Sequence, residues 1–433
     1  MSQISTSQDS PPKTRLTRWL EGAPTAVFTA YATIAAFATY FCMYAFRKPF
    51  AVGTYPGTFD LGFVRLDHKV VFVAAQVIGY AGSKFIGIKV ISELPARHRA
   101  MALLGCIGVA EIALVLFAVA PPGLAALCLV VNGLPLGMVW GLVFGFLEGR
   151  KVSDLLGAGL CASFIVASGF VKTVGKSILD AGVSEAWMPA LTGAVFLAPL
   201  TGFTFLLAQL PPPTRTDEEE RTRRAPMDSA ARRAFFARFA GGLVALVAAY
   251  VALTALRDFR DNFARELWDA LGYGKEPAIM TTTEIPVAIG SLLAVASMIG
   301  IRRSRMALLA LHGIMILGAL LVGGSTLLFQ AGMISPAVWM IAVGLGLYVG
   351  YVPYNCVLFD RLVAAVGQVA TAGFLIYVAD AFGYVGSVGL LMYKNLGQAR
   401  LSWVDFFQGM SLATSGICIV LFVVSAAYFA SRT

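Results

Sequence analysis

The chain has 433 residues, of which 58% are hydrophobic and 13% charged, with mean hydropathy +0.77 and formal net charge +9. That balance excludes an ordinary soluble domain, whose surface takes about 25% charged residues. The apolar residues gather into runs that can span hydrocarbon, which takes about 20 residues per helix, and they lack the short alternation of barrel strands.

Residues 1–23 are polar, carry Lys13, Arg15 and Arg18, and show no cleavable signal peptide, so they read as a cytoplasmic tail before an uncleaved anchor. Apolar runs follow at 24–51, 68–92, 100–120, 122–147, 155–180 and 187–210. A second set lies at 237–264, 278–301, 304–328, 334–359, 364–393 and 403–430. The expected fold is therefore an all-α polytopic membrane protein with twelve transmembrane helices in two pseudo-symmetric halves. The halves are a bundle over 24–210 and a bundle over 237–430, joined by a cytoplasmic loop over 211–236. The loop opens Pro211-Pro212-Pro213 and then turns acidic and basic, as a linker would. Its second part reads either as a basic helix on the membrane surface, with Phe235, Phe236 and Phe239 in lipid, or as solvated chain.

The two sets repeat each other. Tyr44-Ala45-Phe46-Arg47 corresponds to Thr254-Ala255-Leu256-Arg257, Arg99-Ala100-Met101 to Arg305-Met306-Ala307, and Gly149-Arg150 to Asp360-Arg361. The offset stays close to 210 residues each time, which predicts parallel six-helix halves around a midplane cavity, the major facilitator architecture. Basic residues crowd one side of the predicted topology: Arg97 and Arg99, Arg150 and Lys151, Arg215, Arg221, Arg223, Arg224, Arg232, Arg233 and Arg238 in the central stretch, then Arg302, Arg303, Arg305, Arg361 and Arg432. The positive-inside rule then places both termini in the cytoplasm of an inner (plasma) membrane protein. The net positive charge is accounted for by this placement and calls for no nucleic acid.

Ionisable groups inside the spans carry the functional reading, because one at a helix centre costs at least about 2.5–3.5 kcal/mol and normally faces a partner or a wet cavity. Arg47 and Lys48 close span 1, and Arg257 sits at the matching place in span 7. Opposed guanidiniums suit a doubly charged tetrahedral anion, since each planar fork can hold two oxygens. The alternative is that each arginine is neutralised by a fixed acid. Arg47 has no acid near it in sequence, whereas Arg257 lies four residues before Asp261, at ion-pair spacing on a helix. Lys84 on span 2 and Lys172 on span 5 lie deep, while Lys89 and Lys176 can reach the interface. Arg47, Arg257, Lys84, Lys172, Tyr44 and Tyr351 are the candidate substrate-binding residues. Asp258, Asp261, Asp380, Lys48, Arg260 and Tyr377 are the candidates for coupling or gating.

Other features read as packing. Gly133, Gly137, Gly141 and Gly145 make a smooth face on span 4, and Gly344, Gly346 and Gly350 begin one on span 10. Tyr351, Pro353, Tyr354 and Asn355 interrupt the second face, as a cavity wall or as a hydrogen-bonded core cluster. The six cysteines (42, 106, 128, 161, 356 and 418) lie in apolar runs and read as core residues, not disulfides or metal ligands. His68, His98 and His312 show no ligand spacing, and no nucleophile elbow or P-loop is present.

Tyr44-Ala45-Phe46-Arg47-Lys48-Pro49-Phe50 and Tyr80-Ala81-Gly82-Ser83-Lys84-Phe85 resemble the first two spans of the organophosphate:phosphate antiporters, and Asn132-Gly133-Leu134-Pro135-Leu136-Gly137-Met138-Val139-Trp140 resembles their fourth. That family includes the bacterial glycerol-3-phosphate and hexose-6-phosphate carriers. The resemblance covers spans 1–4, and the second half is similar in architecture. It implies that Arg47 and Arg257 bind a substrate phosphate and that Lys84 stands at the family's span 2 lysine. Two departures stand out: the loop Ile91 to Arg99 lacks the usual Asp-Arg pair, and acids flank Arg257.

The leading expectation is alternating-access transport of a small organic anion, a phosphate ester exchanged for phosphate, by a monomer in the lipid bilayer that has no cofactor, no metal and no catalytic residue. Proton-coupled symport of a sugar or other polar metabolite through Asp258, Asp261 or Asp380 is the second expectation. A membrane sensor that signals without transport is the third.

Overall fold

A computed structural model describes residues 14–432 except 61, 63–64, 148–149, 151–152, 214–228, 302, 368–371 and 397–400. The chain is an all-α polytopic membrane protein. Its long helices are α1 (Thr25–Met43), α2 (His68–Glu93), α3 (Arg99–Val119), α4 (Pro122–Leu147), α5 (Ser153–Asp180) and α6 (Met188–Ala208) in the first half. The second half has α7 (Ser229–Asn262), α8 (Glu284–Ile299), α9 (Ser304–Gln330), α10 (Pro336–Cys356), α11 (Ala372–Leu396) and α12 (Trp403–Ala430). Among the described residues, 11 helical stretches are long and apolar enough to cross a membrane. The remaining long helix, α2, has 26 residues and carries Lys69, Lys84, Lys89 and Glu93.

The packing repeats with the sequence. In the first half α1 lies on α5 and α6, α2 on α4, and α3 on α4 and α6. In the second, α7 lies on α11 and α12, α8 on α10, and α9 on α10 and α12. Side-chain contacts define two ends. At the terminal end the Thr17 hydroxyl donates to the Gln209 carbonyl at 3.0 Å and Arg305 donates to the Ala430 carbonyl at 2.8 Å. At the opposite end, here the hairpin end, strands β1 (Thr58–Asp60) and β2 (Arg65–Asp67) pair antiparallel with Phe59 opposite Leu66. This hairpin falls in a connection that the hydropathy pattern leaves unassigned, because three-residue strands carry no periodic signal.

Helix limits follow local chemistry. α10 starts with Ser335 as N-cap and Pro336 at the first turn, where a missing N–H costs nothing. The first apolar run continues to residue 51, yet α1 stops at Met43 and tightens into a 3-10 turn over Tyr44–Phe46. Pro49 explains the stop, since its ring would clash with the preceding turn. The eighth run is divided into Ile279–Thr282 and Glu284–Ile299, just before Pro286. The eleventh run begins later than predicted. Residues near 364 belong to a separate helix, Leu358–Val366, which ends on Gly367 at φ +64. α7 begins earlier than predicted, at Ser229, and bends at Phe239, which has φ −113 and ψ 18. Phe235 and Phe239 are not lipid-inserted; both are 4% exposed and pack inward. Phe239 stacks toward Phe429 of α12, because the bend turns that face onto the bundle. The basic residues Arg215, Arg221, Arg223 and Arg224 lie outside the described residues.

The glycine faces act as read from the sequence. A Cβ at Gly133 would collide with the Gln76 carbonyl of α2, and one at Gly346 with the Gly318 carbonyl of α9. Backbones in these seams meet without intervening side chains, the close approach that glycine permits in membranes. The cysteines form no disulfide among the described residues. His312 is a satisfied core residue, bonded to the Leu308 carbonyl at 2.8 Å and Ser425 at 2.9 Å.

Candidate functional site

The early stop of α1 leaves carbonyls with no helical partner. Two buried amides take them. Gln76 of α2 donates to the Arg47 carbonyl at 3.0 Å, and Asn132 of α4 donates to the Phe46 carbonyl at 3.0 Å. Asn132 also donates to Ala110 of α3 at 3.0 Å and accepts from Gln76 at 2.8 Å. Three helices, α2, α3 and α4, thereby fix the turn that carries Arg47.

Arg47 is 5% exposed, and its guanidinium lies over the Tyr80 ring at 3.7 Å, a cation–π contact. Among the described residues it pairs with no carboxylate, and its Nε has no hydrogen-bond partner. Arg257, on the opposite half, lies over the Tyr351 ring at 4.4 Å. Its partner is Asp258, the next residue, reached at 2.8 Å from Nη2 and 3.1 Å from Nε. The expected spacing to Asp261 is not used. The Asp261 carboxylate is already taken by Lys48 and Lys172 from the first half, joined by Ser168. Tyr44 and Tyr384 each lie within electrostatic reach of both arginines, so the two guanidiniums converge on one region.

Cross-half contacts form levels from mid-depth to the hairpin end. Deepest toward the terminal end, Lys84 meets Asp380 at 3.2 Å. Tyr250 donates to Asp380 and shares a 2.9 Å hydrogen bond with Tyr351. One turn on, the Tyr80 and Tyr384 rings meet edge-on at 5.2 Å. Next come Asp261 with Lys48 and Lys172, and Lys48 bound to Asn262 at 3.0 Å. The outermost level holds Lys69 with Glu266, Thr173 with Thr281 at 2.7 Å, and Arg265 with Glu185 at 3.4 Å. The hairpin end is therefore sealed by polar contacts between the halves. Arg260 pairs with Glu284 at 2.7 Å inside the second half. A cleft lined by Lys172, Arg260, Asp261, Glu284 and Met340 has room for about one water.

The sequence candidates fall into distinct groups. Arg47, Tyr44, Arg257, Asp258 and Tyr351 share the central region. Lys84, Asp380 and the half-buried Tyr377 stand one level toward the terminal end, with Tyr377 in electrostatic reach of Lys84. Lys48, Lys172 and Asp261 form the next level toward the hairpin. Sequence reasoning passed over Tyr80, Tyr250, Tyr384, Gln76, Asn132 and Glu284. Gln76 and Asn132 were legible as uncharged polar residues deep in apolar runs. Glu111 of α3 was also missed; it lies beside Phe46 and Gly193, and among the described residues its Oε2 has no hydrogen-bond partner.

Residues 49–432 match a family described as a family of unknown function, DUF5690. The chain belongs to that family. No curated protein sequence matches it. Among solved structures it is similar to a D-xylose–proton symporter, at 14% identity and TM-score 0.63, over 93% of this chain and 97% of the other. It is similar to a bacterial homologue of the human lysosomal transporter Spinster, at 11% identity and TM-score 0.61, over 94% and 99%. It is also similar to the nucleoside transporter NupG, at 16% identity and TM-score 0.57, over 93% and 99%. At such identities the likeness fixes the fold, so this DUF5690 member has the two-bundle fold of major facilitator transporters.

Proposed function

We propose that the chain is a secondary transporter that carries a small oxyanion, a phosphate or phosphate ester, by alternating access between its two six-helix halves. The supporting observation is Arg47, a buried guanidinium with no carboxylate partner among the described residues, set where the halves meet. The charge balance around it favours the same reading. The central cluster holds six cations (Arg47, Lys48, Lys84, Lys172, Arg257 and Arg260) and four carboxylates (Asp258, Asp261, Glu284 and Asp380), a surplus of two positive charges. Burying unpaired positive charge is costly, and an anionic ligand relieves it. The similarity of the opening spans to organophosphate:phosphate antiporters agrees with a phosphate-bearing cargo. In this reading the terminal end faces the cytoplasm, and the sealed hairpin end faces outward.

A second reading, proton-coupled symport, has one specific support. Asp380 bridges the halves through its 3.2 Å contact to Lys84, so a proton carried on that carboxylate would weaken the link. The deciding experiment uses proteoliposomes loaded with inorganic phosphate. External phosphate or glycerol phosphate should exchange in a manner insensitive to proton uncouplers, and Arg47→Lys should abolish anion binding while the protein still inserts and purifies as a monodisperse species. Retained affinity in Arg47→Lys would refute the anion site, and uptake that collapses with the pH gradient would favour the symport reading.

A further inference from the structure

Two buried polar atoms in the central region lack partners among the described residues: Nε of Arg47 and Oδ2 of Asp258. They ask for opposite things. Arg47 Nε–H needs an acceptor, and Asp258 Oδ2 needs a donor. Both residues are nearly closed off from solvent, at 5% and 2% exposure. Each lies in the other's electrostatic reach, yet they make no ion pair. Asp258 is held in place from one side only, since both Arg257 contacts, at 2.8 and 3.1 Å, go to Oδ1. Its second oxygen is left without a donor, in a residue that has Lys48 and Arg47 in electrostatic reach. Leaving a buried carboxylate oxygen without a donor is expensive, so one ligand that satisfies both atoms gains at both.

We infer that Asp258 is a specificity-determining acceptor of the anion site: it takes a hydrogen bond from a protonated oxygen of the ligand, while Arg47 takes an unprotonated one. The site thus accepts an oxyanion that carries its own O–H group and turns away one that does not. The inference rests on the anion reading given above and narrows it. Inorganic phosphate keeps at least one proton at neutral pH, and so fits. A phosphate ester fits through P–OH or through a hydroxyl of its organic part. Sulfate has the same shape and no proton, so its oxygens would face the Asp258 carboxylate with nothing between two like charges. Charge-assisted hydrogen bonds are the strong ones, and their loss beside a buried charge is felt as at least about a tenfold change in affinity.

The test is binding of inorganic phosphate and of sulfate to the purified full-length protein at pH 7, by equilibrium dialysis. The wild type should prefer phosphate by at least about tenfold. Asp258→Asn, whose amide can donate to sulfate, should bring the ratio close to one, chiefly by improving sulfate. The ratio is the readout because release of Arg257 in the variant would raise affinity for both anions alike. Equal binding of the two anions by the wild type overturns the inference and leaves the anion site standing; this holds even if the variant fails to fold. An unchanged preference in folded Asp258→Asn also overturns it. Binding of neither anion by the wild type overturns the anion site itself.

Discussion

Replacing Asp261 by Asn should open the hairpin end. Asp261 is the carboxylate on which Lys48 and Lys172, both of the first half, converge. The substitution leaves two buried ammoniums, 3% exposed each, facing a neutral amide. Removing one partner of a buried ion pair costs about 3–5 kcal/mol. Opening the halves rehydrates both lysines, so this cost falls on the sealed arrangement alone. At about 1.4 kcal/mol per tenfold, the seal weakens by roughly two to three and a half orders of magnitude. A sealed population of about 99:1 would become a minority. The reporter is Met280→Cys in a background with the six native cysteines replaced. Met280 is 5% exposed, and its carbonyl lies against Gly169 of α5, so closure shields it. Maleimide labelling in detergent should be at least about tenfold faster with Asp261→Asn. Asp60→Asn serves as the control, since its pair with Arg65 is exposed at 53% and 77% and exposed pairs are worth about 1 kcal/mol or less. An unchanged labelling rate in monodisperse Asp261→Asn would refute the argument that this level holds the halves together.

Two further predictions concern stability. Gly346→Val should destabilise the second half by about 1–3 kcal/mol or more, because the new side chain meets the Gly318 carbonyl and Val322, and backbone cannot step aside as a flexible side chain would. Thermal unfolding followed by size-exclusion chromatography checks this, and a parent-like melting temperature contradicts it. Glu185 lies in the loop between α5 and α6. Burial pushes its carboxyl up, but hydrogen bonds from the Thr54 amide and hydroxyl and the Tyr55 amide, with Arg265 nearby, outweigh burial and hold it below the usual carboxylate range. Its contribution is therefore full above the ordinary glutamate value of about 4.3 and fades as pH falls through the folded value. Glu185→Gln should lower the melting temperature at pH 7, and the gap to the parent should close as the pH drops below about 4. A gap that persists undiminished well below that pH, or the absence of a gap at pH 7, would refute this reasoning.

The architecture was legible because hydrocarbon imposes long apolar runs, and the repeat was legible because its charged residues recur at one offset. Boundaries departed where a single residue overrode the pattern: Pro49 at the end of α1, Pro286 at the start of α8 and Gly367 before α11. Of the central region, the charged members were readable because ionised groups are rare in spans. Their partners were not. Arg257 has acids at the next residue and four residues on, and only the lysines of the opposite half decide that Asp261 is taken and Asp258 remains. Tyr80 escaped notice for a similar reason, since an aromatic residue in an apolar run looks like packing until an arginine is seen lying on it. Asn132 and Gln76 cap carbonyls whose exposure depends on a helix stop that hydropathy does not mark.

The two amides under the end of α1 have a mechanical consequence. Gln76 and Asn132 hold the segment bearing Arg47 by its main-chain carbonyls and link it to α2, α3 and α4. A force applied to that guanidinium is carried into most of the first bundle instead of being absorbed by a local flex. In the proposed transport reading, cargo held by this arginine would therefore move an entire half of the molecule and not a single turn of chain.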